Sequence, residues 1–476
     1  MQLCCKFIGC AKASTTSSYV KGVSMEKLFK LEEHGTNVKT EMLAGVITFV
    51  SMVYILAVNP NILSDAGMDP AAVFTATAIS AAFGTLIMAL YANCPVALAS
   101  GMGLNAYFAY SVCIPLAEAG VTNPWEVALT AVLVEGIVFI LLTLCKFREA
   151  LVNDIPDNLK KGISAGIGLF IAFVGLKGAG VVAVDASTLV GLGDFASPEV
   201  ALACLGLLII AVLFHFGVTG YILWGILATW IFGMIAQATG WYVVDPAAGS
   251  FSLFPDFSTG IAVEIPYLCT FNFDFVATHT VEFLVIVFSF LFVDIFDTAG
   301  TLVGVAQKGD MLDEEGKFPQ AKKALMADAL GTVAGACLGT STVTSYVESS
   351  AGVTAGGRTG LTALVVAVLM LVAIPLSPIF LAIPTFATTP ALVFVGFLMA
   401  SSVKDMDWSE DAAGAVGGFL AIIMMPFTYS IANGIMFGFV FFVLIRIFQG
   451  RAGKMHWVMW IAFALFLARI VMLVVG

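Results

Sequence analysis

Charged residues are scarce in this sequence. Asp, Glu, Lys and Arg make up only 11% of the 476 residues, whereas 60% are hydrophobic. Soluble globular proteins carry roughly 25% charged residues, so the composition excludes a soluble domain and indicates a polytopic membrane protein. Each crossing of a bilayer takes about 20 residues. The apolar segments therefore accommodate about fourteen spans joined by mostly short loops.

Features of several other protein classes are also missing. The net charge is −11 and no basic run occurs, so we expect no nucleic-acid partner. The nine cysteines are scattered, without the spacing of a metal site or of a disulfide framework, and we expect neither a metal nor a cofactor. No nucleophile–base motif indicates an enzyme. The N-terminus lacks the apolar core and cleavage site of a signal peptide.

The two ends of the chain are less regular than the rest. Residues 1–24 have no periodic pattern, and a charged amphipathic stretch begins only after Met25. We therefore predict that the functional chain starts at Met25 and that the preceding residues are dispensable. At the other end, residues 457–475 are long enough to span a membrane, but two Trp residues and Arg469 also suit a helix that lies at the interface. The sequence leaves both arrangements open.

Two carboxylates interrupt one apolar segment. Asp294 and Asp297 lie in the predicted span eight (278–305), three residues apart, and so share one face of a helix. Ionised groups inside a bilayer are costly and usually face a cavity, a partner or a transport pathway. Two like charges about 6 Å apart hinder each other's ionisation, so the pair can hold one proton near neutral pH. The alternative is a structural acid that bonds to a neighbouring helix.

Two other spans are broken by small and polar residues. Span three (95–113) contains Ser-Gly-Met-Gly at 100–103. Span ten (343–356) begins within the segment TVTSYV (342–347), which favours an extended strand. Irregular backbone inside a membrane is either buried or lines a cavity. We predict that each break is a short strand followed by a half-helix, and that the two N-termini point at one place near the midplane.

Polar residues stand at the start of both predicted half-helices. The first half-helix is expected to begin near Asn105, and the second near Ser349, directly after Glu348. An amide and a carboxyl group beside apolar walls suit a flat heterocycle with a polar edge. The alternatives are helix capping for Asn105 and a bond to a neighbouring span for Glu348.

Positive charges are distributed asymmetrically among the loops. In the predicted span order, the Lys and Arg residues follow even-numbered spans, which places those loops and the N-terminus in the cytoplasm. The loop at 239–275 contains four acidic residues and no Lys or Arg, and is therefore predicted to lie outside. The residues that follow even-numbered spans are Lys146, Arg148, Lys160, Lys161, Lys308, Lys317, Lys322, Lys323, Arg358, Lys404, Arg446, Arg451 and Lys454.

A weak internal repeat relates the two halves. Ala-Phe-Gly-Thr at 82–85 resembles Ala-Leu-Gly-Thr at 329–332, and residues 196–216 resemble residues 407–427. The offset is about seven spans, an odd number, so the second half would be inverted in the membrane. Inverted repeats with broken spans at equivalent positions indicate the midplane site of a secondary transporter.

Five segments carry a resemblance to a known family. They are NPNILSDAGMD (59–69), ASGMGLNAYFAY (99–110), FVDIFDTAGTLVG (292–304), MADALGTVAGACLGTSTVTSYVESSAGV (326–353) and GGRTGLTA (356–363). Together they resemble the nucleobase–cation symporter family, in its azaguanine-resistance (AzgA-like) purine permease branch. The similarity runs from about Met25 to the C-terminus.

The resemblance implies a function and a set of site residues. The function is proton-coupled uptake of adenine, guanine and hypoxanthine across the cytoplasmic membrane, with H⁺ preferred to Na⁺. Asp297 and Glu348 would bind the purine. The other implied residues are Asn105, Gly103 and Ser349 at the substrate, and Asp294 and Asp328, together with Asp297, in proton coupling. Ser349 stands where the uracil and xanthine branch has Asn.

The resemblance also implies an architecture. The fold would be all-α, with about fourteen spans in two inverted seven-span repeats and short strands in spans three and ten. After an N-terminal region (1–41), a core domain would comprise 42–146 and 276–380. A gate domain, which would also form a homodimer, would comprise 147–275 and 381–476.

Three alternative functions remain open at this point. The first is a uracil or xanthine permease of the same fold. Asp297 stands where that branch has the longer Glu, and the larger cavity suits a purine. The second is an anion exchanger or channel of the sulfate-transporter type, which also uses two facing half-helices. Three acids near the site argue against it, because an anion site prefers a cation or no charge. A membrane enzyme is the third.

Overall fold

The computed structural model describes residue 26 and residues 28–144, 156–185, 187–244, 251–257, 267–313, 318–455 and 457–475. Nearly all regular structure within these ranges is helical. Some sequence predictions fall outside the described residues. They are the dispensability of residues 1–24 and the positions of Lys146, Arg148, Lys317, Asp245 and Glu264.

The first half of the chain forms nine helices and three strands in the described ranges. They are α1 (Val38–Met52), α2 (Ile55–Ser64), α3 (Pro70–Ile87), β1 (Leu98–Ser100), α4 (Met102–Ala106), α5 (Ile114–Glu118), α6 (Pro124–Leu144), α7 (Asp157–Gly178), β2 (Val182–Ala183), β3 (Gly191–Leu192), α8 (Pro198–His215) and α9 (Tyr221–Ala238). Wider π-helical turns at Met88–Ala92 and Tyr107–Cys113 continue α3 and α4.

The second half of the described chain forms ten helices and one strand. They are α10 (Phe273–Thr278), α11 (Thr280–Lys308), α12 (Ala321–Leu338), β4 (Val343–Ser345), α13 (Ser349–Thr354), α14 (Gly360–Ala373), α15 (Ser377–Leu381), α16 (Thr385–Ala400), α17 (Ala412–Phe427), α18 (Ile431–Phe448) and α19 (Trp457–Val475).

Helix starts coincide with capping residues in the sequence. Asp69 accepts a hydrogen bond from the Ala72 N–H just before Pro70 opens α3, and Ser197 does the same for α8. Such caps satisfy amide groups that the first turn leaves without partners, and Pro is well tolerated at that position.

Ten helical segments in the described ranges are long and apolar enough to cross a membrane. Large apolar side chains on the outside, such as Phe448 and Phe427, are 89% and 81% exposed, which suits a surface that faces lipid. The predicted class, a polytopic helical membrane protein, is therefore confirmed. Four predicted spans correspond to shorter or less apolar elements, namely residues 102–118, 321–338, 349–354 and 412–427, and the count of about fourteen spans stays a prediction.

The two broken spans cross each other through a pair of strands. β1 and β4 are antiparallel, with Leu98 opposite Ser345 and Ser100 opposite Val343, and both strands are buried. This arrangement confirms the predicted strand-then-half-helix pattern. The first half-helix begins at Met102, earlier than the predicted start near Asn105, because Gly101 is its N-cap.

Close approach of helices depends on glycine at several interfaces. A Cβ on Gly162 of α7 would lie 2.3 Å from the Cα of Gly418 in α17. Gly84 of α3 faces Gly331 of α12 more loosely, since a Cβ there would lie 3.4 Å from the Cα of Gly331. Small residues of this kind let helices in a membrane approach at backbone distance.

The C-terminal helix α19 packs against the long helices of the bundle. Phe466 is fully buried, and its ring lies 5.5 Å from that of Phe288 in α11 and 5.8 Å from that of Phe439 in α18. Because both partners lie well inside long apolar helices, α19 runs alongside these helices. Of the two arrangements that the sequence left open, this packing favours a spanning helix.

Candidate functional site

Glu348 lies at the junction between β4 and α13. It is the residue before the half-helix, and its carboxylate accepts a hydrogen bond of 2.5 Å from the hydroxyl of Tyr54. Tyr54 is 1% exposed and lies where the helix of the first span is interrupted, between α1 and α2. Glu348 itself is only partly buried. The hydrogen bond thus fixes this carboxylate in place, while the residue as a whole stays partly exposed.

Asp297 approaches Glu348 from the middle of α11. It too is partly exposed, and the charges of the two acids are close enough to interact. Open space lies along the same face of α11, because a Cβ on Gly300 or on Gly304 would meet no atom within 4 Å. Residues at i, i+3 and i+7 share one face of a helix. Asp297 therefore borders an open region and interacts electrostatically with Glu348.

Asp294 belongs to a different, fully buried polar cluster. The hydroxyl of Thr298 lies 3.2 Å from Asp294 Oδ1, 3.0 Å from Asp328 Oδ2 and 2.6 Å from Thr344 Oγ1. Ser345 donates to Asp328 at 2.9 Å. A hydroxyl carries a single proton, so Thr298 donates to one of these oxygens at a time. The cluster joins α11, α12 and β4, and it places Asp294 and Asp328 within reach of one bridging hydroxyl.

Asp294 and Asp297 therefore have separate surroundings, although they are neighbours on α11. Asp294 is 0% exposed and bonds within the helix bundle, whereas Asp297 is partly exposed beside Glu348. The three-residue spacing brings both onto one side of the helix, but that side meets α12 at one position and open space at the other. The roles of Asp294, Asp297 and Asp328 in proton coupling stay predictions.

Asn105 and Gly103 lie on the first half-helix. The Asn105 side chain is fully buried and its Oδ1 accepts a short hydrogen bond from the Ser341 hydroxyl. A Cβ on Gly103 would lie 2.9 Å from Cγ2 of Ile167, so this glycine allows α4 to approach α7. Both residues hold the half-helix against its neighbours in this structure, and their predicted contact with a substrate stays a prediction.

Ser349 begins the second half-helix and is also fully buried. Its hydroxyl accepts a hydrogen bond of 3.0 Å from the backbone N–H of Ala97, which precedes β1. Tyr346 strengthens the same crossing, because its hydroxyl donates to the carbonyl of Ser100 at 2.6 Å. Ser349 thus ties the two broken spans together, and its predicted role at the substrate stays a prediction.

Two residues that contact the predicted site residues were not predicted from the sequence. Tyr54 stands in the apolar run VSMVYILAV, and Ser341 lies in a polar segment with several similar residues. A buried Tyr hydroxyl usually needs a hydrogen-bond partner, so Tyr54 carried a usable signal. Ser341 carried none, because nothing distinguished it from its neighbours. In the described part of the chain, no group of three or more His, Cys, Asp or Glu residues could hold a metal ion.

Comparison with known proteins shows that this chain is similar to permeases. The profile of the permease family (Xan_ur_permease) matches residues 39–437. The chain is 45% identical over 451 residues to a putative permease of Methanocaldococcus jannaschii, covering 94% of this chain and 98% of that protein. It is 41% identical over 457 residues to the adenine permease AdeP of Escherichia coli (96% and 98% covered). It is 45% identical over 431 residues to the guanine/hypoxanthine permease PbuO of Bacillus subtilis (90% and 96% covered).

Two solved structures of more distant proteins have a similar fold. The transmembrane domain of the cyanobacterial bicarbonate transporter BicA superposes with a TM-score of 0.62 at 17% identity, covering 83% of this chain and 97% of that domain. SLC26A9 superposes with a TM-score of 0.63 at 12% identity, covering 94% and 73%. At such low identity the similarity concerns the fold alone.

Proposed function

The chain belongs to the permease family of nucleobase–cation symporters, and from this premise we propose that it takes up purine nucleobases together with protons. The observation that carries the proposal is the pair Asp297 and Glu348, two partly exposed acids whose charges interact, with Glu348 at the N-cap of the half-helix α13. Relatives that are 41% and 45% identical are named for adenine and for guanine/hypoxanthine, which supports a purine as substrate.

The two acids suit the edge of a purine. Carboxylate oxygens accept hydrogen bonds from ring and exocyclic N–H groups, and the space beside Gly300 and Gly304 leaves room for a flat ring. The N-terminal amides of α4 and α13 add partial positive charge at the same depth. Asn105 and Ser349 have partners inside the protein, so we assign them to positioning the half-helices in this state.

Proton coupling follows from the same pair. Two carboxylates that face each other inside a membrane repel each other when both are ionised. One proton bound to Asp297 or Glu348 leaves a single negative charge, and the pair then titrates as a unit. Release of the purine exposes the pair and lets the proton leave. The buried acids Asp294 and Asp328, bridged by Thr298, form the second candidate for the proton site.

The architecture is proposed as fourteen spans in two inverted repeats. The motifs at 82–85 and 329–332 meet through Gly84 and Gly331. Thr85 bonds to Leu98 in β1, and Thr332 bonds to Val343 in β4. Thr85 and Thr332 therefore make equivalent contacts, each with the strand of its own half. This equivalence supports a two-fold relation between the two halves.

The core and gate domains, with the boundaries predicted from the sequence, would move relative to each other. This movement would expose the site first to one side of the membrane and then to the other. Dimerisation through the gate domain is part of this proposal.

We also propose the cytoplasmic membrane as location and a cytoplasmic N-terminus, since positive residues cluster at the corresponding helix ends. These residues are Lys160 and Lys161 near the start of α7, Lys308 at the end of α11, and Arg446 at the end of α18.

A uracil or xanthine permease is the nearest rival, and an anion exchanger is the second. The superposition on a bicarbonate transporter reflects the fold only, and the two acids at the site disfavour an anion. The test is uptake of labelled hypoxanthine by cells that express the chain, with and without a proton uncoupler. Uptake that adenine and guanine compete for, and that the uncoupler abolishes, is expected. Competition only by uracil or xanthine, or uptake of bicarbonate or sulfate instead, would refute the purine assignment.

A further inference from the structure

Two cysteines from distant parts of the sequence meet at one end of the molecule. Cys269 lies shortly before α10, and Cys337 lies near the end of α12. The backbone N–H of Cys269 donates to the carbonyl of Cys337 at 2.8 Å. Beside this contact, a Cβ on Gly339 would lie 2.7 Å from the Cβ of Tyr267. The segment 267–269 therefore lies directly along the segment 337–339.

The separation of the two cysteines suits a covalent bond. Cys337 lies in the last turn of α12 and Cys269 lies in a turn. The backbone hydrogen bond between them brings their Cα atoms to about 5–6 Å, and disulfides span about 4.4–6.8 Å between Cα atoms. The two side chains are close enough to interact. Cys269 is exposed and Cys337 is partly exposed, so an oxidant can reach the pair, whereas Cys94 and Cys113 are buried.

We propose that Cys269 and Cys337 form a disulfide that fastens the segment before α11 to the end of α12. Formation of this disulfide does not depend on which substrate the protein transports. The orientation proposed above puts both residues on the outer face of the membrane, where disulfides form and persist.

The reaction is a thiol–disulfide exchange. The thiolate of Cys269 attacks the disulfide of an oxidised thiol–disulfide oxidoreductase, whose S–S bond breaks to leave a mixed disulfide and one thiolate on the oxidant. The thiolate of Cys337 then displaces the second sulfur of the oxidant. The pair loses two electrons and two protons, and the oxidant leaves as a dithiol.

The bond would brace the part of the molecule that carries the acids. The loop that it closes contains both α11 and α12, and hence Asp297 and Asp328. Tyr267 already links this corner to α3 and α6, since its hydroxyl accepts from the Asp69 N–H at 2.9 Å and its ring lies 4.7 Å from that of Trp125. A disulfide between segments that already touch changes little in the folded state and restricts the unfolded state. It therefore raises stability without blocking transport.

The test uses the full-length purified chain and oxidised glutathione as the probe. After oxidation, free thiols are blocked with a maleimide, and digested peptides are analysed by mass spectrometry. A peptide pair that links Cys269 to Cys337 is expected as the main product, with an apparent Tm at least about 3 °C higher that a reductant reverses. Recovery of both thiols as maleimide adducts, or as separate glutathione adducts, would overturn the proposal.

Matched variants separate the disulfide from general effects of oxidation. Cys204→Ser alters a half-buried cysteine of α8 and should keep both the linked peptide and the rise in Tm. Cys269→Ser should lose both while retaining purine uptake. A membrane-impermeant maleimide should label the reduced pair in intact cells; labelling only in inverted vesicles would overturn the placement on the outer face.

Discussion

The hydroxyl of Tyr54 distinguishes the two acids of the site. It donates to Glu348 at 2.5 Å, so Glu348 has a fixed orientation, whereas Asp297 borders open space beside Gly300. The acidic residues themselves could be predicted from the sequence, because carboxylates inside apolar segments are rare and costly. Their partners could not, since Tyr54 and Glu348 are 294 residues apart in the chain.

Removal of the Glu348 carboxylate should weaken substrate binding. In Glu348→Ala the N–H groups of the purine lose an acceptor, which costs roughly 1–3 kcal/mol, and affinity should fall about tenfold or more. Binding of labelled hypoxanthine to purified protein measures this change. Wild-type affinity in a well-folded Glu348→Ala protein would exclude Glu348 from the site.

Removal of the Tyr54 hydroxyl should have a smaller effect of the same sign. Tyr54→Phe keeps the ring in its buried place and frees Glu348 to change orientation, so we expect affinity to fall about three- to tenfold. Tyr110→Phe is the matched control, because it removes a hydroxyl that donates to another carboxylate, Asp65, at 2.7 Å. Equal affinity in the two variants would show that Tyr54 does not position Glu348.

At the scale of elements, the crossing of β1 and β4 is the feature that the sequence predicted best. The β-branched run in 342–347 and the glycines at 101 and 103 interrupt apolar segments, and an interruption at membrane depth has few structural solutions. The rotation of α11 against its neighbours was not predictable. It turns Asp294 and Thr298, which are hydrogen-bonded within α11, toward Asp328 of α12. Asp297 borders open space, although one helix face holds both acids.

The close glycine contacts between helices predict that a larger residue at Gly162 lowers stability. In Gly162→Ala, the new Cβ would lie 2.3 Å from the backbone of Gly418, so α7 and α17 must move apart. Overpacking of this kind typically costs about 1–3 kcal/mol, and the apparent Tm in detergent should fall. Gly84→Ala is the control, because its Cβ would lie at 3.4 Å, an ordinary contact. A Gly162→Ala protein as stable as the Gly84→Ala protein would contradict the packing described here.

For the whole molecule, composition predicted the class and the resemblance predicted the family, which the permease profile over residues 39–437 confirms. Neither could indicate that a helix as late as α19 would pack between α11 and α18 through Phe466. An apolar segment carries little information about its neighbours, because lipid and protein offer it equally apolar surroundings.

We propose that Asp297 couples purine movement to the proton gradient. Asp297→Asn keeps the shape of the side chain and removes one titrating group of the pair that it forms with Glu348, so accumulation against a gradient should be lost. Asp294→Asn, which alters the buried cluster around Thr298 instead, should impair accumulation less.

The most direct test is purine accumulation in membrane vesicles under an imposed pH gradient, with the purine-driven alkalinisation outside recorded in parallel. We predict that wild-type vesicles concentrate labelled hypoxanthine and alkalinise the medium, and that Asp297→Asn vesicles with equal amounts of protein do neither. Accumulation by Asp297→Asn to the wild-type level would exclude Asp297 from coupling and move that role to Glu348 or Asp328.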